Sequence, residues 1–255
     1  MNICAVIPAA GRGTRLGSGG PKILTPVTDS ESIWSILYGT VSPIVDHVHL
    51  VLSPEGRTAF DAGHSRDDYS NVSCSLQMAP LGMGDAILGS IDAWRAAAAA
   101  LVIWGDQVLI SRDTLARAID AQGGRPKSVI IPVTRVEAPY VEYLFGQSGR
   151  LEAVKQTREG DVCSPRGYSD VGTFLMSVEG LQDAWDQYLA GAQKGASTGE
   201  VNFLPFLPYL ARHGWTVEAI EVADADEARG VNTPADLAYA RAILAARREP
   251  SRNSE

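Results

Sequence analysis

Residues 3–15 read ICAVIPAAGRGTR, an apolar run that leads directly into a glycine-rich loop. The run Ile3–Pro8 predicts a first β-strand. Glycines that directly follow such a strand let backbone N–H groups approach phosphate oxygens, because no Cβ stands in the way. This stretch therefore predicts the start of an α/β domain with an anion-binding turn.

The rest of the first half alternates hydrophobic strings with amphipathic stretches, the order expected of βα units. Further strands are predicted at residues 48–52, 72–77, 101–104 and 128–133. Helices are predicted at residues 32–39, from residue 53 onward, at 84–100 and at 111–121. Five alanines end the helix predicted at 84–100, a run that we attribute to helix propensity and close packing.

The pattern changes from residue 140 to short β-rich segments with polar turns. Helices near 178–190 and 201–213, a strand at 216–222 and a last helix at 234–247 follow. We expect a single domain over residues 1–247, with halves at 1–135 and 136–247. Residues 248–255 are polar, and we expect a disordered tail there.

Composition places the chain among ordinary globular proteins, with 45% hydrophobic and 20% charged residues. No apolar run approaches the ~20 residues that span a bilayer, and the amino terminus lacks the basic flank of a signal peptide. The three cysteines and four histidines show neither disulfide nor zinc-ligand spacing. We therefore expect a cytoplasmic protein without a membrane partner.

Charge is distributed unevenly along the chain. The net charge of −8 argues against nucleic acid as a partner, because a phosphate backbone needs a broad basic surface. Residues 1–28 nevertheless contain no acidic side chain, whereas Arg12, Arg15 and Lys22 are basic. This local excess predicts an anion site in the first 28 residues.

The loop carries two cations at fixed offsets that suit a triphosphate. Arg15 can grip the terminal phosphates in a forked contact, and Lys22 can place a point charge on the α-phosphate. The loop is neither a P-loop nor a Rossmann fingerprint, since the required glycine and lysine positions do not match. The alternative interpretation is a flexible surface loop.

Four motifs in order carry a family resemblance: GRGTR-x5-PKIL at 11–24, Q-x4-GMGDA at 77–86, WGD at 104–106 and GVN at 230–232 followed by DLA at 236–238. Together they resemble the sugar-1-phosphate nucleotidyltransferases, most closely the uridylyltransferase half of the bifunctional N-acetylglucosamine-1-phosphate uridylyltransferase/glucosamine-1-phosphate acetyltransferase. The resemblance implies a Rossmann-like α/β fold of the nucleotide-diphospho-sugar transferase type. Its mixed, mostly parallel sheet is flanked by helices and has a small β-rich acceptor-binding portion. The acetyltransferase repeats of those relatives are absent from this sequence, so we expect no acetyl transfer.

The resemblance also implies an enzyme of the EC 2.7.7 class. Asp106 and Asn232 would hold Mg²⁺, a hard cation that takes oxygen ligands; taken singly, Asp106 could be a helix cap and Asn232 a turn residue. Gln77 and Gly82 would read a pyrimidine edge, since an amide and a peptide each offer a donor and an acceptor. Met83 stands where the relatives that carry these motifs have Thr, which leaves UTP and CTP both open. The full set of expected nucleotide-binding residues is Ala9, Ala10, Gly11, Gly13, Thr14, Gln77, Gly82, Met83 and Gly105.

The predicted reaction is an in-line displacement in which an acceptor phosphate or phosphonate attacks the α-phosphorus and pyrophosphate leaves. Arg15 and Lys22 are the predicted catalytic residues. Lys155, Asp170 and Gly172 are the expected acceptor-binding residues. Lys155 replaces a glutamate of the relatives and Asp170 an asparagine, which favours a smaller or differently charged acceptor than N-acetylhexosamine phosphate; alternatively, Lys155 points to solvent.

Two other functions remain open from the sequence. A glycosyltransferase of the same architecture would use a nucleotide sugar, but it usually carries Asp-x-Asp where this chain has Asp106-Gln107-Val108. A non-catalytic nucleotide-sugar binding module would not need an intact loop and metal pair. The acceptor, the oligomeric state (a homo-oligomer is possible) and the pathway are not indicated by the sequence.

Overall fold

The structure is a computed structural model, and it describes residues 1–11, 16, 20–64, 69–192, 195 and 199–248. Its strands are β1 Ile3–Pro8, β2 His47–Leu52, β3 Val72–Leu76, β4 Ala99–Ile103, β5 Ser128–Glu137, β6 Val141–Phe145, β7 Leu151–Gln156, β8 Arg166–Asp170, β9 Thr173–Ser177 and β10 Thr216–Glu221. Its α-helices are α1 Ile33–Val41, α2 Pro54–Gly63, α3 Met83–Leu88, α4 Arg112–Gln122, α5 Leu181–Leu189, α6 Phe206–Arg212 and α7 Pro234–Arg248. Short 3₁₀ turns lie at Lys22–Leu24, Ile91–Ala93, Thr157–Glu159 and Ala225–Ala228.

The strands form one mixed sheet in the order β3-β2-β1-β4-β9-β5-β8-β6-β7, and β10 pairs with β5. The pairs β1–β2, β1–β4, β2–β3 and β5–β10 are parallel, whereas β9 is antiparallel to both β4 and β5. The second half of the chain thus contributes β9 to the middle of the sheet. The mixed, helix-flanked α/β fold predicted from the sequence is confirmed.

Alternating side chains of the central strands bury both faces of the sheet, as the two-residue period of a strand requires. Ile7 and Leu101 pack into the cluster under α1, while Val6 and Val102 pack into the cluster that includes Phe174. Each of these residues is essentially inaccessible to solvent. Burial on both faces explains why these strands read as continuous apolar runs.

Serine caps set the starts of three helices. Ser32, Ser53 and Ser111 each accept a hydrogen bond from a backbone N–H in the first turn, and Pro54 occupies the first helical position of α2. A side-chain oxygen at this position satisfies an N–H that has no partner within the helix. The helix starts predicted at residues 53 and 111 agree with these caps.

The helix predicted at residues 84–100 is wrong. α3 ends at Leu88, a 3₁₀ turn follows, and the last two of the five alanines begin β4. Ala99 and Ala100 are fully buried between β1 and β9. Small side chains fit this crowded position, and tertiary packing overrides helix propensity.

At the carboxyl end of the chain, Arg248 is the last residue of α7 rather than the first of a tail, and residues 249–255 lie outside the described residues. Among the described helices, none combines the length and apolar character that a bilayer crossing requires. Because β1 to β4 are parallel, their carboxyl ends meet at one edge of the sheet, where ligands bind in open α/β sheets.

Candidate active site

Three polar side chains from distant parts of the chain meet beyond the carboxyl end of β4. The Lys22 ammonium donates hydrogen bonds to Oδ2 of Asp106 at 2.6 Å and to Oδ1 of Asn232 at 2.9 Å. Lys22 is separated in sequence from these partners by 84 and 210 residues. The two residues expected to hold metal therefore lie together, and both face the lysine expected to contact phosphate.

Lys22 is presented by a short, well-anchored turn. Pro21 precedes the 3₁₀ turn Lys22–Leu24, and the neighbouring Ile23 is buried in the core. A fixed backbone with a four-carbon side chain allows the ammonium to change position without moving the turn.

Asn232 is held by the start of α7. Thr233 and Asp236 form reciprocal bonds: the backbone N–H of Thr233 donates to Asp236 Oδ2 at 2.9 Å, and that of Asp236 donates to Thr233 Oγ1 at 3.2 Å. Asp236 also accepts from the backbone N–H of Asn232 and from Arg229. Burial alone would raise the pKa of Asp236, but the bonds from Thr233, Arg229 and Asn232 lower it. This capping arrangement orients the loop that carries Asn232.

A buried glutamate ties the same loop to the element that follows Asp106. Glu227 accepts hydrogen bonds from the backbone N–H of Ser111 and the hydroxyl of Thr114, both at 3.1 Å. A carboxylate is favourable at this helix N-terminus, because the first N–H groups of α4 carry partial positive charge. The backbone N–H of Val231 further donates to the carbonyl of Asp106 at 3.0 Å.

Two glycines permit this close approach. A Cβ on Gly230 would lie 2.9 Å from Oδ1 of Asp106, and a Cβ on Gly105 would lie 3.0 Å from the carbonyl of Pro8. Neither position could take a side chain without displacement of its neighbour. Gly105 thereby brings the loop after β4 against the loop after β1.

A cavity of about 180 Å³ opens beside the three polar residues, lined by Pro8, Ala9, Gly11, Lys22, Ile23, Met83, Trp104, Gly105 and Asp106. Ala10 is half-buried beside this lining. The expected site residues Gly13, Thr14 and Arg15, and Arg12 with them, lie outside the described residues. The cavity therefore joins the described part of the glycine-rich loop, the Asp106 loop and the start of α3.

Gln77 and Gly82, the residues predicted to read the base, are in direct contact with each other. Gln77 Nε2 donates to the carbonyl of Gly82 at 3.0 Å and to Oδ2 of Asp85 at 2.9 Å. Gly82 has φ +112° and packs against the backbone of Val201, a conformation that favours glycine. Because the donor end of Gln77 bonds within the protein, base recognition by this residue would use its amide oxygen.

Asp170 and Gly172 hold the turn between β8 and β9 against the Asp106 loop. Asp170 is buried, and its Oδ1 accepts from the backbone N–H of Gly172 at 2.7 Å. The carbonyl of Gly172, which has φ +72°, accepts from the backbone N–H of Trp104. Burial raises the pKa of Asp170, and the charge of Asp106 raises it further, although the Gly172 N–H opposes this. Asp170 and Gly172, two of the three residues expected to bind the acceptor, thus border the Asp106 loop, with the carboxylate of Asp170 turned inward.

Lys155 lies on β7 and is already paired. Its ammonium donates to the carbonyl of Val162 at 3.1 Å and lies 4.0 Å from Oε2 of the buried Glu142. Glu142 in turn accepts from the backbone N–H of Ser164. The sequence offered two interpretations of Lys155, contact with the acceptor or exposure to solvent. Neither of them included this link between β6 and the loop after β7.

Comparison with known families decides the class of protein. A model of the family described as "MobA-like NTP transferase domain" matches residues 5–172, which span β1, the Asp106 loop and the turn at Gly172. The chain belongs to this family. As a MobA-like NTP transferase it is a nucleotidyltransferase, a transferase of the EC 2.7.7 kind.

Relatives and solved structures agree with the resemblance stated from the motifs. This MobA-like NTP transferase is 29% identical over 95% of its length to the bifunctional protein GlmU of Nitrobacter hamburgensis, and 26% identical over 96% to that of Clostridium perfringens. The chain spans about half the length of these relatives, 52% in both cases. The fold is similar to that of a CMP:2-keto-3-deoxy-manno-octonic acid synthetase complexed with CTP (TM-score 0.69, 17% identity, 97% of this chain and 100% of that one). It is also similar to a 4-diphosphocytidyl-2C-methyl-D-erythritol synthase from Anaerococcus prevotii (TM-score 0.65, 15% identity, 96% of both chains).

The side-chain oxygens of Asp106 and Asn232 in this MobA-like NTP transferase suit a hard divalent cation. In the part of the chain that the structure describes, no group of three or more His, Cys, Asp and Glu side chains could hold a metal alone. Mg²⁺, however, is usually held by one or two carboxylates together with substrate phosphates. Asp106 and Asn232 already converge on one cation, the Lys22 ammonium, so their donor chemistry fits such an ion.

Sequence reasoning missed the residues that position Asn232. Asp236 was matched only as part of a motif, although Thr233-x-x-Asp236 before an apolar run is a capping-box pattern. Glu227 gave no signal, because its partners Ser111 and Thr114 are more than 110 residues away in sequence.

Proposed function

We propose that this nucleotidyltransferase transfers a nucleoside monophosphate from UTP or CTP to a phosphorylated sugar or a small phosphate or phosphonate, with release of pyrophosphate and with Mg²⁺ as cofactor. The observation that carries the proposal is the convergence of Lys22, Asp106 and Asn232 beside the loop after β1. Electropositive groups and oxygen ligands at this edge suit a triphosphate and its metal ion.

The chemistry requires positioning rather than proton transfer. The acceptor's phosphate oxygen is already ionised near neutral pH, so it can attack the α-phosphorus without a general base. The protein must bring two anions together and stabilise the charge on the transferred and departing groups. Lys22 would serve the α-phosphate, and Arg15 the terminal phosphates.

Asp106 and Asn232 would hold the metal ion, with the capping box at Asp236 and the contact at Gly230 fixing their geometry. When bound, Mg²⁺ supplies neutralisation of the phosphate oxygens. Gln77 and Gly82 would contact the base, and Met83 would lie against the nucleotide at the start of α3. Ala9, Ala10, Gly11, Gly13, Thr14 and Gly105 would supply the remaining nucleotide contacts.

The acceptor would approach from the side of β6 to β9. Gly172 is suited to this position, since its turn packs on Trp104 and Gln107 at the rim of the Asp106 loop. The other two acceptor-binding residues would be the buried Asp170, at the end of β8, and Lys155, on β7. A cytidine nucleotide is the first to test, because one of the two structures compared above is complexed with CTP and the other is that of a diphosphocytidyl-methylerythritol synthase.

The test is pyrophosphate release from each of the four ribonucleoside triphosphates with Mg²⁺ and a panel of sugar phosphates and phosphonates. We expect release that depends on one pyrimidine nucleotide and on the acceptor, and that is lost in Asp106→Asn. Asp120→Asn, an exposed aspartate at the far end of α4, is the matched control and should retain activity. Transfer from a nucleotide sugar would instead indicate a glycosyltransferase, and binding without turnover a non-catalytic module; either result contradicts the proposal.

A further inference from the structure

The Lys22 ammonium occupies the oxygens that the proposed function assigns to a metal ion. It lies 2.6 Å from Asp106 Oδ2 and 2.9 Å from Asn232 Oδ1, and the side chains of Lys22 and Asp106 are each only 18% exposed. The same lysine is proposed to contact the α-phosphate. One ammonium cannot hold these two oxygens and leave them open to a second cation.

We propose that Lys22 is a tethered cation that keeps Asp106 and Asn232 closed to divalent metal until a triphosphate draws the ammonium away, so that metal and nucleotide enter together. The entry of nucleotide rests on the proposed function. The exclusion of metal rests only on the contacts of Lys22.

The packing of Asp106 makes this exclusion effective. Gly230 lies so close to Oδ1 that even a methyl group there would touch all three atoms of the carboxylate. Oδ2 is the oxygen that faces Lys22. A divalent cation that bound both Oδ2 and the amide oxygen of Asn232 would have to share these two oxygens with the ammonium.

Electrostatics gives the scale of the effect. A divalent ion about 4 Å from a lysine charge is repelled enough to weaken binding ~30-fold even at the dielectric constant of water. The site is partly buried, where screening is weaker. A metal ion lies roughly 2 Å from its ligand oxygens. If the Lys22 ammonium were bound to the same two oxygens, the two cations would be separated by no more than about 4 Å.

The adjacent cavity offers the Lys22 ammonium a second position. Its side chain lines the same cavity as Ala9 and Gly11, where the glycine-rich loop begins, while its backbone is fixed by Pro21 and the buried Ile23. A phosphate in this cavity would offer the ammonium charged acceptors in exchange for Asp106 and Asn232.

The test is the binding of Mn²⁺ alone to the full chain without nucleotide, measured from the free-ion signal in electron paramagnetic resonance. We expect Lys22→Met to bind Mn²⁺ at least ~10-fold more tightly than the wild type. Lys127→Met removes an exposed charge before β5, at the opposite edge of the sheet, and should bind like the wild type. Adding Asp106→Asn to Lys22→Met should abolish the gain.

Equal affinity of Lys22→Met and the wild type overturns the proposal, and so does a gain that survives Asp106→Asn. Lys22→Gln, which keeps a polar side chain, repeats the test if the methionine variant does not fold. Asp106→Asn in the wild-type background gives an independent check: because Lys22 already closes the site, Mn²⁺ affinity should not change, and a marked loss refutes the closure. If the wild type releases pyrophosphate but Lys22→Met does not bind Mn²⁺ more tightly, only the present inference is rejected. If Lys22→Met binds Mn²⁺ more tightly but the wild type shows no turnover, only the proposed function is rejected.

Discussion

Gly230→Ala tests whether the position of Asp106 governs activity. Gly230 does not adopt a positive φ, so alanine meets no backbone strain there. Its new methyl carbon would lie 2.9 Å from Oδ1, 3.0 Å from Cγ and 3.1 Å from Oδ2 of Asp106. Ordinary contacts begin at 3.4 Å, so the carboxylate must shift by a few tenths of an ångström.

The expected effects follow from that shift. Overpacking of this kind costs about 1–3 kcal/mol, and we expect the lower end because Asp106 is partly exposed. A misplacement of 1 Å can cost ~10²-fold in rate, so a shift of a few tenths should lower kcat/KM by roughly 5- to 10-fold. Pyrophosphate release gives the rate, and urea unfolding gives the free energy of unfolding.

Gly39→Ala provides the matched control. Gly39 lies on the exposed side of α1 with nothing within 4 Å of the new methyl group. Alanine there should leave activity unchanged and raise the free energy of unfolding by about 0.5–1 kcal/mol. Wild-type activity and stability in Gly230→Ala would refute the reasoning.

Four further predictions follow from the same contacts. Lys22→Ala or Asp106→Ala should lower kcat/KM by ~10²–10³ in pyrophosphate release, the range for loss of one preorganised electrostatic contact; near-normal turnover would reject these roles. Asp236→Ala removes the capping box and should lower the free energy of unfolding by about 1 kcal/mol in urea unfolding, and it should also lower kcat because Asn232 loses its support; a change in stability alone would limit Asp236 to a structural role. Lys155→Met should raise KM for the acceptor with little change in kcat, and an unchanged KM would leave Lys155 only its link to buried Glu142. Burial, and secondarily the charge of His47, lower the pKa of His49 from 6.5 to about 4, so its contribution to stability is complete above pH 6.5 and declines as the pH falls toward 4. At pH 5 the loss of stability amounts to about 2 kcal/mol. Urea unfolding of the wild type and of His49→Gln, each at pH 7 and at pH 5, measures this loss. An equal pH dependence of the free energy of unfolding in the two proteins would contradict the prediction.

The sequence predicted the parts of the fold that depend on local pattern. The bounds of β1 agree fully, because Ile3–Pro8 is apolar throughout and ends at a glycine-rich turn. The helix expected at 84–100 failed because alanine has high helix propensity in isolation, whereas the packing of Ala99 and Ala100 between two strands is a long-range effect. No local rule carries that information.

The site was predictable as a set of residues but not as a set of contacts. Motif order indicated that Asp106 and Asn232 share a site, and the structure brings them to one ammonium. The contact of the Lys22 ammonium with both residues arises because three loops meet at one edge of the sheet, which no local pattern shows. The burial of Asp170 also depends on where the β8–β9 turn packs, which spacing alone does not show.

Calorimetric titration of CTP and of UTP into the protein with Mg²⁺ tests the central claim most directly, namely that a triphosphate binds where Lys22 meets Asp106 and Asn232. The account predicts saturable binding of one of the two nucleotides, weakened at least ~10-fold in Lys22→Met and unchanged in Lys127→Met. Binding of neither nucleotide, or equal affinity of Lys22→Met and the wild type, would contradict it.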